Sequence, residues 1–386
     1  MRIMQKLLFY CVALCAAHVA HAEIKVGTTL ALSGPAQSIG KNMVLGIETY
    51  FAATNAAGGV AGQRLRLIKR DDGYVPGVAA ANMHELIDKE RVIAVVGNVG
   101  TPTAEVTVPI ANASKTLLFG AFSGADLLRK QPPDRYVINY RASYADETAA
   151  MVAGLSRAGI RPYEIAFFTQ NDGYGDAGYN GAIKALKAAG YNEAEQLPHG
   201  RYKRNTLDVE DAVLTLLSAP TPPRAIIMVG AYAPCAKFIQ IARRLLPQTL
   251  FLNLSFVNGE ALSDALGDAG NGVIVTQVVP PCTSDKPICR QYLADLKKYA
   301  PRDKPSFVSL EGYIIARLLV TGLRNAGANP SREALVTAME SIRNADVGTG
   351  VPISYSSTQH DGSHAVWATV INKGEYRPLR WEDLRR

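Results

Sequence analysis

Short β-rich runs alternate with helical segments through most of the 386 residues, and this alternation limits the possible folds more than any other feature. The helical segment around Met43, Ile47 and Phe51 has apolar residues at helical spacing, and residues 55–59 carry the Asn and Gly that are typical of a helix end. Strands separated by helices indicate parallel sheets in an α/β fold. The predicted strands are 24–31, 65–69, 92–96, 116–119, 164–169, 225–229, 249–254 and 272–279.

Eight strands and 386 residues are too many for one small sheet and leave room for two domains of roughly 150 residues or more. Between groups of alternating strands and helices, the composition becomes typical of turns at 140–144, 277–281 and 347–352. We therefore predict two lobes joined by three crossings of the chain. The first lobe is expected to contain 23–141 and 278–347, and the second 142–277 and 348–386.

The N-terminus has the three regions of a secretory signal. Arg2 and Lys6 precede the apolar run 7–17, and small residues stand at 20 and 22. We expect residues 1–22 to be a cleaved signal peptide and the protein to be periplasmic. Leu14 before Cys15 argues against a lipid anchor, since a lipoprotein signal has a small residue there. Later apolar runs fall short of the roughly 20 residues of a membrane helix.

Charge and cysteine content exclude further classes of protein. Cleavage would lower the formal net charge from +7 to +5, and the basic residues are scattered among acids, so no nucleic-acid partner is expected. Cys282 and Cys289 flank a short Pro-containing loop, which in an oxidising compartment predicts a disulfide rather than a zinc site. Cys235 is expected to be a free, buried thiol.

Three motifs suggest chemistry but are better explained otherwise. Residues 173–178 form G-x-G-x-x-G, but three residues separate it from the strand, so we interpret its glycines as packing positions rather than a nucleotide site. His360 and His364 are spaced like zinc ligands on a helix, yet Gly362 between them predicts a loop. Ser123 stands one position late for a hydrolase nucleophile. We expect no metal, no cofactor and no catalytic residue.

Two adjacent strands each end in a small polar turn. Thr101 stands at a helix start with Pro102 after it, and Ser123 follows the next strand. Backbone N–H groups and hydroxyls would converge there above the sheet. Such a place favours an anionic group, a carboxylate in particular.

Several motifs, in order, give the chain a family resemblance. They are Leu-Ser-Gly-Pro at 32–35, Asn-Ala-Ala-Gly-Gly at 55–59, Gly-Asn-Val-Gly-Thr-Pro-Thr at 97–103, Phe-Ser-Gly-Ala at 122–125, Asn-Asp-Gly-Tyr-Gly at 171–175 and Gly-Ala-Tyr at 230–232. Together they resemble the type I periplasmic solute-binding proteins of branched-chain amino acid ABC transporters.

The resemblance implies two Rossmann-like lobes with parallel sheets, joined by a three-stranded hinge and closing over a ligand. It implies that Thr101 and Ser123 hold the ligand carboxylate, and that Tyr174 and Tyr232 contact the ligand from the other lobe. Thr103 and Phe122, in the same motifs, are expected to line the same site.

The turn after strand 249–254 departs from the family pattern. Amino-acid-binding members carry an acid there that pairs with the ligand ammonium, whereas this chain has Ser255. A buried ammonium without a carboxylate is costly. Glu311 could supply the charge from a nearby helix, or could be a salt-bridged surface residue. Without it, the favoured ligand lacks an α-ammonium.

The expected function is therefore the substrate-binding component of an ABC importer. It would bind a small polar or carboxylate-bearing solute and deliver it to a permease in the inner membrane, as a monomer and without catalysis. Branched-chain amino acids, amides or urea, and organic carboxylates remain open as ligands. Two alternatives are a ligand-sensing protein that feeds a receptor and an exported enzyme on the same fold.

Overall fold

The computed structural model describes residues 23–283 and 285–384, and it has the predicted α/β architecture with two sheets. The predicted signal segment 1–22 lies outside these residues. In the described part of the chain, no helix combines the length and apolar character needed to cross a bilayer.

The first sheet has five parallel strands in the order β2-β1-β3-β4-β5. Its register pairs Glu23 with Arg64 at one end of β1 and Leu30 with Asp71 at the other. Because the strands are parallel, the turns that follow them lie at one edge of the sheet. The strands are β1 (Glu23–Leu30), β2 (Arg64–Asp71), β3 (Ala94–Val96), β4 (Leu117–Phe119) and β5 (Val137–Ile138), with helices α1 (Gln37–Ala56), α2 (Pro76–His84) and α3 (Thr101–Ala113) between them.

The second sheet has seven strands in the order β12-β11-β10-β9-β8-β6-β7. Strands β6 to β10 are parallel, while β11 and β12 form an antiparallel edge. The strands are β6 (Ile165–Gln170), β7 (His199–Tyr202), β8 (Ala225–Val229), β9 (Leu250–Asn253), β10 (Ile274–Gln277), β11 (Trp367–Asn372) and β12 (Glu375–Pro378). The accompanying helices are α4 (Tyr144–Arg157), α5 (Gly173–Ala188), α6 (Glu210–Leu217), α7 (Tyr232–Leu245) and α8 (Gly259–Leu266).

The chain passes between the sheets three times, which agrees with the predicted number of crossings. It leaves the first sheet after β5, returns after β10, and passes back to β11 after three helices that pack with the first sheet. These helices are α9 (Pro287–Tyr299), α10 (Phe307–Ala326) and α11 (Arg332–Glu340). The two-lobe fold class is thus confirmed.

Helices α1 and α10 pack closely because glycine stands at their contact. A Cβ on Gly46 would lie 1.8 Å from the carbonyl oxygen of Ser309, and one on Gly312 would lie 2.5 Å from the carbonyl oxygen of Met43. Both distances are far below a van der Waals contact, so only glycine allows this approach. The contact fixes α10, and with it Glu311, against the first lobe.

The cysteines behave as predicted. Cys282 and Cys289 form a disulfide with a Cα–Cα distance of 5.1 Å, and Cys235 is a buried free thiol. Burial raises the pKa of the Cys235 thiol, so this group stays protonated.

All eight predicted strands coincide with observed strands, while β5, β7, β11 and β12 were missed. Strand β5 has only two residues, too few for a pattern. Strands β11 and β12 form the antiparallel edge of their sheet, which alternating βα patterns do not signal.

Candidate functional site

Thr101 and Ser123 meet at the carboxyl edge of the first sheet, as their turns predicted. Both side chains are buried, and their hydroxyl oxygens lie 2.8 Å apart. Thr101 is the first residue of α3, which follows Gly100. Gly100 is required there because its φ is +104° and a Cβ would lie 2.1 Å from the Tyr74 ring. This close approach brings Tyr74 to the same edge of the sheet.

Thr103 is directed elsewhere. Its hydroxyl donates to the carbonyl of Gly100 at 2.9 Å and also lies against the carbonyl of Val99, so it bonds to the backbone that starts α3. The Thr103 hydroxyl therefore has backbone partners at the helix start, and its place in the lining of the site stays a prediction. A Thr three positions into a helix commonly makes such a back-bond.

Aromatic rings from both lobes form a cluster above Thr101 and Ser123, with Phe256 at its centre. The Phe256 ring centre lies 4.4 Å from Tyr174, 5.3 Å from Phe122 and 6.1 Å from Tyr74. Tyr174 also packs against Tyr144 at 5.3 Å. We call these five residues the ring cluster. All are buried, so the cluster closes the space between the two sheets to solvent.

Tyr174 enters the cluster from the start of α5. Asp172 caps this helix, because its carboxylate accepts from the Tyr174 backbone N–H at 3.1 Å. A Cβ on Gly178 would lie 2.7 Å from the Val229 side chain, so this glycine lets α5 pack closely on its sheet. The packing interpretation of residues 173–178 is consistent with this contact. Burial raises the pKa of Tyr174 well above its ordinary value, which keeps its hydroxyl neutral.

Tyr232 begins α7 and lies apart from the ring cluster. It is partly exposed and lines a cavity of about 600 Å³ between the lobes, together with Ser38, Asn42 and Glu260. The sequence placed Tyr174 and Tyr232 on the same lobe, and the structure agrees. It does not bring them to the same point.

Ser255 forms hydrogen bonds with two charged residues, Glu147 and Arg141. Its hydroxyl donates to Glu147 Oε1 at 2.9 Å and accepts from the Arg141 guanidinium. Its backbone N–H donates to Glu147 Oε2 at 2.8 Å. The position where amino-acid-binding relatives would carry an acid is therefore linked to Arg141, a cation of the protein itself.

Glu311 is buried, so the alternative that it is a surface residue is wrong. Its Oε1 lies 3.6 Å from Arg141 Nε, and both side chains are almost fully buried. Burial raises the pKa of Glu311 to about 7, against the lowering effect of Arg141. At neutral pH this carboxyl group is near the midpoint of its titration.

Arg141 lies in the crossing between β5 and α4, and neighbouring groups fix its backbone. Ser143 and Asp146 form a capping box that starts α4 two residues later. Arg129 donates to the Arg141 carbonyl at 3.0 Å. The guanidinium carbon lies 4.3 Å from the centre of the Phe122 ring, a cation–π contact. Arg141 thus packs against the ring cluster through Phe122.

Hydrogen bonds across the cleft show that the lobes are closed. Asn258 donates to Ser38 Oγ at 3.0 Å, and Gln170 donates to the Tyr74 hydroxyl at 3.3 Å. In each pair one residue belongs to the first lobe and the other to the second. A solute could reach the ring cluster only if these contacts opened.

The histidines of the 360–364 loop have structural partners. His360 bonds through Nδ1 to the Val137 carbonyl at 2.7 Å and through Nε2 to Glu340 at 3.1 Å. His364 lies on the surface, 3.1 Å from Asp146. In the part of the chain that the structure covers, no group of three or more His, Cys, Asp or Glu side chains could hold a metal ion.

Sequence reasoning missed five residues of this site, because the local sequence around them does not indicate their contacts. The turn-like composition of 140–144 marked the crossing, but nothing in it indicated the contacts of Arg141. The signal that could have identified Arg141 is the presence of an Arg in a segment that connects two buried layers of the fold. The missed residues are Tyr74, Arg141, Tyr144, Glu147 and Phe256.

Comparisons with known proteins agree with this geometry. Residues 23–375 match the family model of periplasmic binding proteins. A solved structure from Rhodopirellula baltica SH 1, described as a possible leucine/isoleucine/valine-binding protein, is 46% identical to this chain. The two align over 96% of this chain and 99% of the other, with a TM-score of 0.93.

More distant relatives are similar over most of their length. Leu/Ile/Val-binding protein homolog 7 of Brucella abortus (strain 2308) is 26% identical over 320 residues, which cover 79% of this chain and 77% of the relative. An ABC transporter solute-binding protein from R. palustris, solved in complex with benzoate, is 20% identical, with a TM-score of 0.81 over 93% of this chain and 96% of its own. The latter likeness concerns the fold alone.

Proposed function

Because this chain belongs to the periplasmic binding protein family, as a type I member of the branched-chain amino acid group, we propose that it is the solute-binding component of an ABC importer. It binds a small polar or carboxylate-bearing solute between its lobes, 23–141 with 278–347 and 142–277 with 348–386. The closed form then delivers the solute to an inner-membrane permease.

The buried pair Thr101 and Ser123 carries this proposal. Two hydroxyls that bond to each other at a helix start can instead bond to the head group of a solute, and the helix N-terminus favours negative charge. The ring cluster supplies an apolar surface beside them. Hydroxyls, a helix start and aromatic rings suit recognition of a small molecule.

The proposed cycle involves no covalent chemistry. The solute enters the open cleft, both lobes contact it, and the contacts made only in the closed form shift the equilibrium toward closure. Family members are binding proteins, and we extend this non-catalytic role to the present chain. The N-terminal segment 1–22 would direct export, and N-terminal sequencing of the exported protein should then begin at Glu23.

A thermal-shift screen of refolded, ligand-free protein tests the proposal. The panel contains leucine, isoleucine and valine, benzoate, aliphatic carboxylates, and urea with simple amides. A compound at 100 times its Kd should stabilise the fold by about 2.7 kcal/mol. Stabilisation by one class supports the binding function. A flat response to every class would contradict it, and transport assays in vesicles that contain an inner-membrane permease would test delivery.

A further inference from the structure

The guanidinium of Arg141 is buried with donors to spare. The residue is 1% exposed, and its Nη2 bonds to Ser255. Nη1 has no hydrogen-bond partner among the residues that the structure describes, and Nε has only the ion pair with Glu311 at 3.6 Å. Buried polar groups are nearly always hydrogen-bonded, and a guanidinium has five N–H donors in a fork that suits a carboxylate. The unpartnered donors indicate that this group is built to bind an anion.

A second buried polar group lies in the same place. The Tyr144 hydroxyl is buried beside Ser123. Tyr144 belongs to the ring cluster, where it packs on Tyr174, and Arg141 contacts the cluster through Phe122. Two independent polar groups therefore face the space where the solute is proposed to bind.

The charges around Arg141 do not balance if both neighbouring acids are ionised. Glu147 is fully engaged, because it accepts from Ser255 and from the Thr276 hydroxyl at 2.5 Å, and Arg141 Nη2 lies 3.8 Å away. Glu311 faces the same guanidinium, and Arg129 is a second cation whose charge has a smaller effect on it. An added anion would make a third negative charge against one positive charge.

Resting on the proposed function, we propose that Arg141 binds the carboxylate of the solute and that Glu311 takes up one proton from solvent as the solute binds. The preferred solutes are organic carboxylates without an α-ammonium. An ammonium would have to lie beside the guanidinium, since both acids that could pair with it already face Arg141.

The groups around Glu311 support its role as the proton acceptor. Arg129 lowers the pKa of Glu311 less than Arg141 does, and it is itself paired with Asp361 at 3.4 Å. Tyr140 is fully buried, and burial with the charge of Glu311 raises its pKa. Burial raises the pKa of Glu311 itself to about 7, so a nearby anion would keep it protonated at physiological pH.

The charged groups on the other helices that pack on α10 have partners other than Glu311 in the described part of the chain. The buried face of α1 is made of uncharged residues. From α9, Tyr292 shares a hydrogen bond of 2.5 Å with Ser309, and Asp295 accepts one of 2.5 Å from the Tyr313 hydroxyl. From α11, Glu340 is already paired with Arg135 at 2.7 Å and with His360.

Calorimetry on the ligand-free protein tests the proposal with benzoate, 4-methyl-2-oxopentanoate, leucine and benzamide. We expect at least one carboxylate to bind, with an affinity about tenfold lower at pH 8 than at pH 6. At pH 7.5, titrations in phosphate and in Tris should report a net uptake of protons as the solute binds, because the two buffers differ in ionisation enthalpy.

Matched variants assign the two roles. Glu311→Gln should abolish both the proton uptake and the pH dependence, whereas the control Glu340→Gln, another buried acid paired with an Arg, should keep both. Arg141→Lys should weaken carboxylate binding by more than about 100-fold, since Lys cannot reproduce the fork. If single Arg141 variants fail to fold, Arg141→Gln with Glu311→Gln removes one charge of each sign, and it should fold but not bind carboxylates.

The outcomes separate this proposal from the function on which it rests. Tight binding of leucine or benzamide without binding of either carboxylate would overturn the anion site and leave solute binding intact. Carboxylate binding without proton uptake would overturn the role of Glu311. If nothing in this set or in the wider screen bound, the proposed function would fail first.

Discussion

The hydroxyl oxygens of Thr101 and Ser123 lie 2.8 Å apart, although 22 positions separate them in the chain. The relationship follows from the parallel pairing of β3 with β4, which places the turns after both strands at one edge. A solute head group that joins this pair gains two hydroxyl partners at once.

Thr101→Val should weaken solute binding by about 10 to 150-fold. The substitution keeps the shape but removes one hydrogen bond to the solute's polar head, which for a charged group contributes roughly 1.5 to 3 kcal/mol. Titration calorimetry measures the change. Ser114→Ala, at the far end of the same helix, is the control and should bind normally. Wild-type affinity in Thr101→Val would show that the Thr101 hydroxyl does not bind the solute.

Ser38→Ala should weaken binding by a few-fold through closure alone. Ser38 accepts a hydrogen bond from Asn258 across the cleft, and one such bond contributes about 0.5 to 1.5 kcal/mol. Small-angle scattering should show a smaller radius of gyration when solute is added, at higher concentration for the variant. An unchanged scattering profile at saturation would argue against a hinged clamp.

The Cys282–Cys289 disulfide should stabilise the fold by about 2.5 kcal/mol, the chain-entropy estimate for a short loop. Replacing both cysteines by Ser should lower the free energy of unfolding by that amount and leave solute affinity unchanged. Mass analysis after alkylation without reductant should show label on Cys235 at most, after unfolding. Label on Cys282 and Cys289 as well would mean that the bridge does not form in the protein.

Leucine should bind more weakly than its deaminated keto acid. Ser255 is bonded to Arg141 and Glu147, so the carboxylate at that turn is already engaged and does not pair with an ammonium. Parallel titrations of refolded protein with the two compounds compare them directly. Micromolar leucine binding together with no binding of the keto acid would show that this turn accepts an ammonium after all.

Glu260→Gln should stabilise the ligand-free protein at alkaline pH. Burial raises the pKa of Glu260 from 4.5 to about 7, so the folded state holds a proton that the unfolded state has lost. Stability therefore falls as pH rises from about 4.5 to 7, by about 3 kcal/mol in all.

The Glu260 variant isolates this contribution. Its amide oxygen can still accept from the Phe307 backbone N–H, as Glu260 does at 3.0 Å. Urea unfolding should show a small difference from the wild type at pH 5 and the full gain at pH 8. The exposed Glu193→Gln should behave like the wild type. Equal stability of Glu260→Gln and wild type at pH 8 would mean that Glu260 is ionised in the folded state at little cost.

The sequence by itself determined the features that neighbouring residues record. Strand and helix periodicity gave the two parallel sheets, and the paired turns after β3 and β4 gave Thr101 and Ser123. The spacing of Cys282 and Cys289 gave the disulfide. These follow from local backbone geometry and short loops, whose physical rules depend on residues close together in the chain.

Only the tertiary structure decided what Arg141 touches. Ser255 is 114 positions away, and Glu311 comes from a helix that returns to the first lobe. Phe256 likewise meets Phe122 only because the lobes are closed. Such contacts depend on how two sheets and a hinge pack together, which no local pattern encodes. The sequence thus predicted the polar residues Thr101 and Ser123, while packing between the lobes brought Arg141 together with its charged partners.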